Sequence, residues 1–275
     1  MKFFILSTLF LVTGAVFFFD EDLQESDNLL YLMYLNSSYQ PCVGTLIAPK
    51  WVLTAAQCFL PCFWFLDWSF FLELCEEWSP SHCLVLLPKA PFISQYIDLQ
   101  IFFHGGSRVV QDSSGEILSY EKIIIHPNFT VTSPKNDLML IKLSMSLTFF
   151  YNMEFRLPTF KMSGVNSCLI PTWVQNKEYD GNSEFVQHTI KTFMHSDANC
   201  AKLLGSKFLE DMFCVGFVPG SREYCQGIRA APAVCGNELQ GIMSWETGCV
   251  LMGYISAFTN IYNHLPWINS IINTK

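Results

Sequence analysis

Proton transfer near neutral pH requires an imidazole or a tuned carboxylate, and covalent catalysis requires an activated hydroxyl or thiol. Two residues invite those roles. His126, in IHPNF, could act as a base, but its setting in a turn after an apolar run fits a structural role better. Ser244, in SWETGC, could act as a nucleophile, yet no histidine is placed to activate it. Asn36 (NSS) and Asn128 (NFT) stand in acceptor sequons for N-linked glycans. Sixteen basic against 24 acidic residues, a net charge of -8, supply no electrostatic footprint for DNA or RNA. No nucleic-acid partner, cofactor or metal is expected.

The elements that must hold these residues are short apolar runs between turns: YLMYL, CVGTLI, WVLTAA, LQIFF, KIIIHP, LMLIKL, FCVGFV, PAVC and LQGIMSW. Their length and spacing suit strands, and many short strands predict an all-β sandwich or barrel pair. Only the tail, NHLPWINSIINTK, reads as a helix. Pro266 suits a first turn, and Leu265, Ile268, Ile271 and Ile272 recur at helical intervals.

Lys2 and the apolar stretch after it, with Thr13 and Ala15 as small residues for cleavage, predict a signal peptide over residues 1–15. A membrane anchor needs about 20 apolar residues. Here Thr13-Gly14 and the acidic Asp20-Glu21-Asp22 interrupt the run, so no membrane span is expected in the mature chain. Secretion would place the 11 cysteines in an oxidising compartment, where thiols pair. Residues 62–97 stand apart, with Cys62, Cys75 and Cys83, three tryptophans and no Lys or Arg before Lys89. Deleting them joins CFLP to DLQIFF. A structureless loop of that length is uncommon in a compact domain, so the segment is either a lid or, as expected here, a retained-intron insertion foreign to the fold.

Four motifs in order carry a family resemblance. CVGTLIAPKWVLTAAQC resembles the trypsin-family segment ending in the catalytic-histidine motif TAAHC. NDLMLIKL (136–143) resembles the catalytic-aspartate motif, CQGIRAAP (225–232) stands where CQGDSGGP would be, and SWETGC (244–249) resembles SWGxGC. The chain is identified as a member of the trypsin-like serine proteases over residues 31–275, interrupted by 62–97. Its detailed wording is most similar to inactive paralogues. The resemblance implies two six-stranded antiparallel β-barrels with a cleft between them and a C-terminal helix. It also implies the disulfide pairs Cys42 with Cys58, Cys168 with Cys235, Cys200 with Cys214, and Cys225 with Cys249. Residues 16–30 would be a degenerate propeptide region.

Position by position, the family's machinery is missing. The mechanism needs a hydroxyl, an imidazole and a carboxylate. Gln57 holds the histidine position and Arg229 the serine position, so of the vestigial triad Gln57, Asp137 and Arg229 only the carboxylate survives. An amide accepts no proton near pH 7, and a guanidinium is a permanent cation without a nucleophilic lone pair. Ile228 replaces the aspartate that pairs with a newly cut N-terminus, and residues 16–30, just before YLMYL, hold no Lys or Arg to permit that cut. Both halves of one ion pair are therefore lost together. Ala230 and Ala231 replace two glycines, which predicts an altered oxyanion loop. The vestigial pocket falls at Glu223, Ser244, Glu246 and Ser256, with added side-chain atoms where a substrate would sit. Arg229 is expected to meet Asp137, directly or through Gln57. The competing arrangement sends Arg229 to solvent and leaves Asp137 to backbone donors and Ser244. The expected product is a secreted, monomeric, catalytically inactive glycoprotein that binds a protein or peptide through the old cleft. A serine-type endopeptidase is the rival reading, and a decaying gene product without function a third.

Overall fold

In the computed structural model, which describes residues 23–24, 32–37, 41–59, 99–103, 109–110, 115–130, 133–147, 156–164, 166–177, 183–216, 228–246 and 255–274, the apolar runs form two antiparallel sheets. The N-terminal sheet takes β2 (Leu32–Ser37), β3 (Pro41–Ala48), β4 (Trp51–Thr54), β5 (Leu99–Phe103), β7 (Glu116–Leu118), β8 (Tyr120–Ile125) and β9 (Met139–Leu143), in the order β7-β5-β2-β3-β4-β9-β8. The C-terminal sheet takes β1 (Leu23–Gln24), β6 (Val109–Val110), β10 (Ser167–Lys177), β11 (Ser183–Met194), β12 (Met212–Gly216), β13 (Pro232–Cys235), β14 (Glu238–Glu246) and β15 (Ile255–Asn260). Pairing of β11 with both β10 and β12 closes six of these strands, β11-β10-β13-β14-β15-β12, into a barrel. Its partner curls as a half-barrel without closing among the described residues. The architecture is the mostly β, trypsin-like one expected.

Burial explains the strands. All four residues of β4 and four of the five in β9 are buried, as suits strands covered on both faces rather than alternating toward water. Tyr34 of β2 packs edge-on to Trp173 of β10, ring centroids 6.1 Å apart, and tilts against Phe185 of β11 at 6.0 Å, which joins the two sheets. The tail forms helix α2 (Leu265–Ile272), with a proline in its first turn and Ile268 buried. A helix not anticipated, α1 (Asp197–Leu204), begins at Ser196, whose side chain accepts from the Asn199 amide, and ends at Gly205 with φ 58°. Its signals are all in the sequence, but eight residues gave too few turns for periodicity to show.

Disulfides join Cys42 to Cys58, Cys168 to Cys235 and Cys200 to Cys214. Cys168 and Cys235 are cross-strand neighbours of β10 and β13. Cys225 and Cys249, residues 1–15, most of 16–30 and residues 62–97 lie outside the described residues. Among the described residues no helix is long and apolar enough to cross a membrane.

Candidate functional site

Strand register brings the distant triad positions together. Thr54 of β4 pairs with Met139 of β9, so residues 57 and 137 both lie just beyond the same end of the N-terminal sheet. Gln57 sits in a single helical turn, Ala56–Phe59, held by the Cys42–Cys58 disulfide. Asn136 approaches Asp137 in the left-handed region, φ 57°, a conformation asparagine tolerates better than most residues. In the barrel, Pro232 pairs with Ile242, which sets Arg229 and Ser244 at one end of the β13–β14 hairpin. The amide of Val43 donates to the Arg229 carbonyl at 2.7 Å and ties that end to the N-terminal sheet.

Asp137 is 1% exposed. Its Oδ1 accepts from the Gln57 backbone amide at 2.9 Å and its Oδ2 from the Ser244 hydroxyl at 2.6 Å. Burial pushes its carboxyl up from 3.8 to about 6, against the pull of Ser244, the Gln57 and Ala56 amides and, last, the charge of Arg229. Asp137 takes the backbone and Ser244 donors of the competing arrangement, while Arg229 stays half-buried rather than going to solvent. Small donors close at hand take both carboxylate oxygens, and half-buried Arg229 acts through its electrostatic field. No histidine is among the groups that bond Asp137. Such a site can hold a carboxyl group, but it has no base to deprotonate a nucleophile.

Ile228 is 3% exposed, with its amide donating to the Trp173 carbonyl at 2.9 Å and its carbonyl accepting from the Thr172 hydroxyl at 3.2 Å. An apolar side chain therefore packs where the family's ion pair would be. Ala230 takes φ 61°, the left-handed conformation that glycine would favour. The carbonyl of buried Ala231 accepts from the Met243 amide at 2.9 Å.

Of the pocket positions, Ser244 is committed to Asp137, and Ser256 is fully buried with no hydrogen-bond partner for its hydroxyl. Glu223 and the side chain of Glu246 lie outside the described residues. Asn36 and Asn128 are both exposed.

A second buried polar cluster escaped the sequence reading. Asp211 Oδ2 accepts from the Asn136 amide at 3.0 Å and lies 3.8 Å from His264 Nε2, an ion-pair distance rather than a hydrogen bond. His126, 7% exposed, packs its ring against His264 at 5.0 Å and Trp267 at 4.7 Å. Burial, then the charge of His264, push the His126 imidazole down to about 4, so it is neutral at pH 7 and structural. Burial pushes Asp211 up, but His264 and the Asn136 amide outweigh it and hold the carboxyl below its usual range. His264 and Asp211 are far apart along the chain, so spacing carried no hint of the pairing. The cluster packs beneath α2 and, through Asn136, steadies the loop that presents Asp137. Among the described residues no group of histidine, cysteine and acidic side chains could hold a metal ion.

Comparison with known proteins agrees with this geometry. The family model described as Trypsin matches residues 96–268. A Bos taurus protein named "Probable inactive serine protease 58" is 33% identical over 94% of this chain and 93% of its own length. The Homo sapiens protein named serine protease 58 is 33% identical over the whole of both chains, and Trypsin I-P1 of Gallus gallus is 27% identical over the same extent.

Proposed function

The chain belongs to the trypsin family of serine proteases, and from that premise we propose that it is a secreted, catalytically inactive member that binds a protein or peptide through its vestigial cleft. The observation that carries the reading is the set of partners at Asp137. The Gln57 backbone amide and the Ser244 hydroxyl hold the Asp137 carboxylate, no histidine is among its partners, and an arginine stands at the nucleophile position. The name of the bovine relative supports inactivity, and the disulfides support an extracellular location. Residues 1–15 are the signal peptide, residues 16–30 a degenerate propeptide, and residues 31–275 the protease-like domain carrying the 62–97 insertion. Cys225 and Cys249 form a fourth disulfide. Glu223, Ser244, Glu246 and Ser256 line what remains of the pocket, and the chain acts as a monomer without a cofactor.

Two measurements decide between this reading and an endopeptidase. The secreted chain, with or without trypsin treatment, should take up no fluorophosphonate label and hydrolyse no peptide ester. Stoichiometric labelling of any serine overturns the inactive reading. Immobilised chain should retain a protein from its native fluid that an Arg229→Glu variant releases, and equal retention by both would place binding outside the cleft.

A further inference from the structure

Two acceptor sequons lie in very different structural settings. Residues 126–129 form a tight turn with Pro127 at its second position, closed by the Phe129 amide donating to the His126 carbonyl at 2.9 Å. The Asn128 amide donates to His126 Nδ1 at 3.3 Å, and its carbonyl accepts from Asn136 Nδ2 at 3.1 Å. The backbone of Asn128 is therefore satisfied within the protein and anchored to buried His126. Exposure alternates along the sequon: Asn128 and Thr130 face solvent, while Phe129 is half-buried and packs against the core. The carboxamide and the hydroxyl that an acceptor needs both point outward, and only the spacer is used by the fold.

Asn36 is placed otherwise. It lies within β2 with a strand on each side, opposite Pro41 of β3 and Gln100 of β5. Its Nδ2 donates to Gln100 Oε1 at 3.5 Å, and the next residue, Ser37, donates its hydroxyl to the Cys58 carbonyl at 3.0 Å, beside the disulfide that holds the Gln57 turn. A sugar on Asn36 Nδ2 would compete with the Gln100 contact and stand one residue from the bond to the Cys58 carbonyl.

We infer that the folded chain carries an N-linked glycan at Asn128 and none at Asn36. The inference rests on the secretory-pathway reading above, because the co-reactant is a lipid-linked oligosaccharide diphosphate. Asn128 Nδ2 bonds to the anomeric carbon as that carbon's bond to the diphosphate oxygen breaks. The lipid diphosphate departs, one Nδ2 proton passes to base, and one N–H remains to meet water. Transfer accompanies synthesis, so the fold acts by what it tolerates. At Asn128 it loses no hydrogen bond, whereas at Asn36 it loses a cross-strand contact.

The test expresses the full chain with its own leader in mammalian cells and digests it with an amidase that releases N-glycans. Wild type and Asn36→Gln should show the same mobility shift. Asn128→Gln and Thr130→Ala should show none, and Thr130→Ser should restore it. Thr130→Ala leaves the Asn128–Asn136 contact intact, so it reads the site even if Asn128→Gln fails to fold. Release in heavy-oxygen water should place the isotope label at residue 128. A shift that persists in both Asn128→Gln and Thr130→Ala, or a label at residue 36, overturns the inference. Chain retained in the cells but shifted through residue 128 would count against secretion and leave the glycan assignment standing.

Discussion

Asp137 and Asp211 are both buried aspartates, 1% and 7% exposed, linked through Asn136, yet their carboxyl groups move in opposite directions. Asp137 is pushed up to about 6 although a hydroxyl and two amides bond it, whereas Asp211, with an imidazole 3.8 Å away and also two amides, those of Asn136 and its own residue, is held below the ordinary range. Depth accounts for part of the contrast, since Asp137 is the more fully desolvated. The rest is the nature of the partner. Neutral donors offset part of the cost of burying a carboxylate, and a side chain that can itself carry positive charge offsets more. Burial, not Gln57, raises Asp137: the Gln57 backbone amide pulls the carboxyl down, and on the reading proposed above its side chain offers no imidazole in place of the base. The family's acid survives as a group that readily takes up a proton, while a new acid–imidazole pair has formed in a structural setting beneath α2.

The harshest way to break the comparison places a third aspartate where neither kind of partner waits. Ile228→Asp puts a carboxylate into the apolar site beside Trp173, and we expect it to cost about 3–5 kcal/mol in urea unfolding or to prevent secretion. A tolerated Ile228→Asp would show that a cation already reaches that site.

Next in size is the pH dependence. Folded Asp137 keeps its proton up to about pH 6, while the unfolded chain loses it near 3.8. Its contribution to stability is full below 3.8 and lost as pH rises to 6. His126 runs the other way: the unfolded chain takes up a proton below 6.5 and the folded chain only near 4, so stability is lost as pH falls across that window. Each shift of roughly two units is worth about 3 kcal/mol, and the two nearly offset one another between pH 4 and 6. Relative to wild type, Asp137→Asn should lose stability more steeply on acidification and His126→Phe less steeply. Parallel curves for all three proteins would refute the opposition.

Exchanging the partners sharpens it further. His264→Leu should raise the Asp211 carboxyl and cost about 1–3 kcal/mol at pH 7, and Gln57→His should draw Asp137 down from about 6. Carbon-detected carboxyl titrations would read both, and an unmoved Asp137 would mean that depth alone sets its value.

The smallest effect is at Ala230. Its φ of 61° strains an L-residue, so Ala230→Gly should stabilise the chain by about 1 kcal/mol in the same unfolding assay.

By itself the sequence determined the strand runs, the terminal helix, the order of the four motifs and the residue types at the triad positions. Periodicity and local motif spacing are written along the chain, so the proposal that Gln57 and Arg229 stand at the triad positions needs no coordinates. Only the tertiary structure decided which donors reach Asp137. Small, nearby groups, the Gln57 backbone amide and the Ser244 hydroxyl, bond one oxygen each, and the charge of Arg229 is the smallest of the pulls on the carboxyl. It likewise decided that Ala230 takes a left-handed conformation, because pairing on both sides outweighs a local dihedral preference of about 1–2 kcal/mol. His126, Asp211 and His264 meet only when β8, the approach to β12 and the turn before α2 pack together, and contacts so distant in sequence leave no periodicity to read.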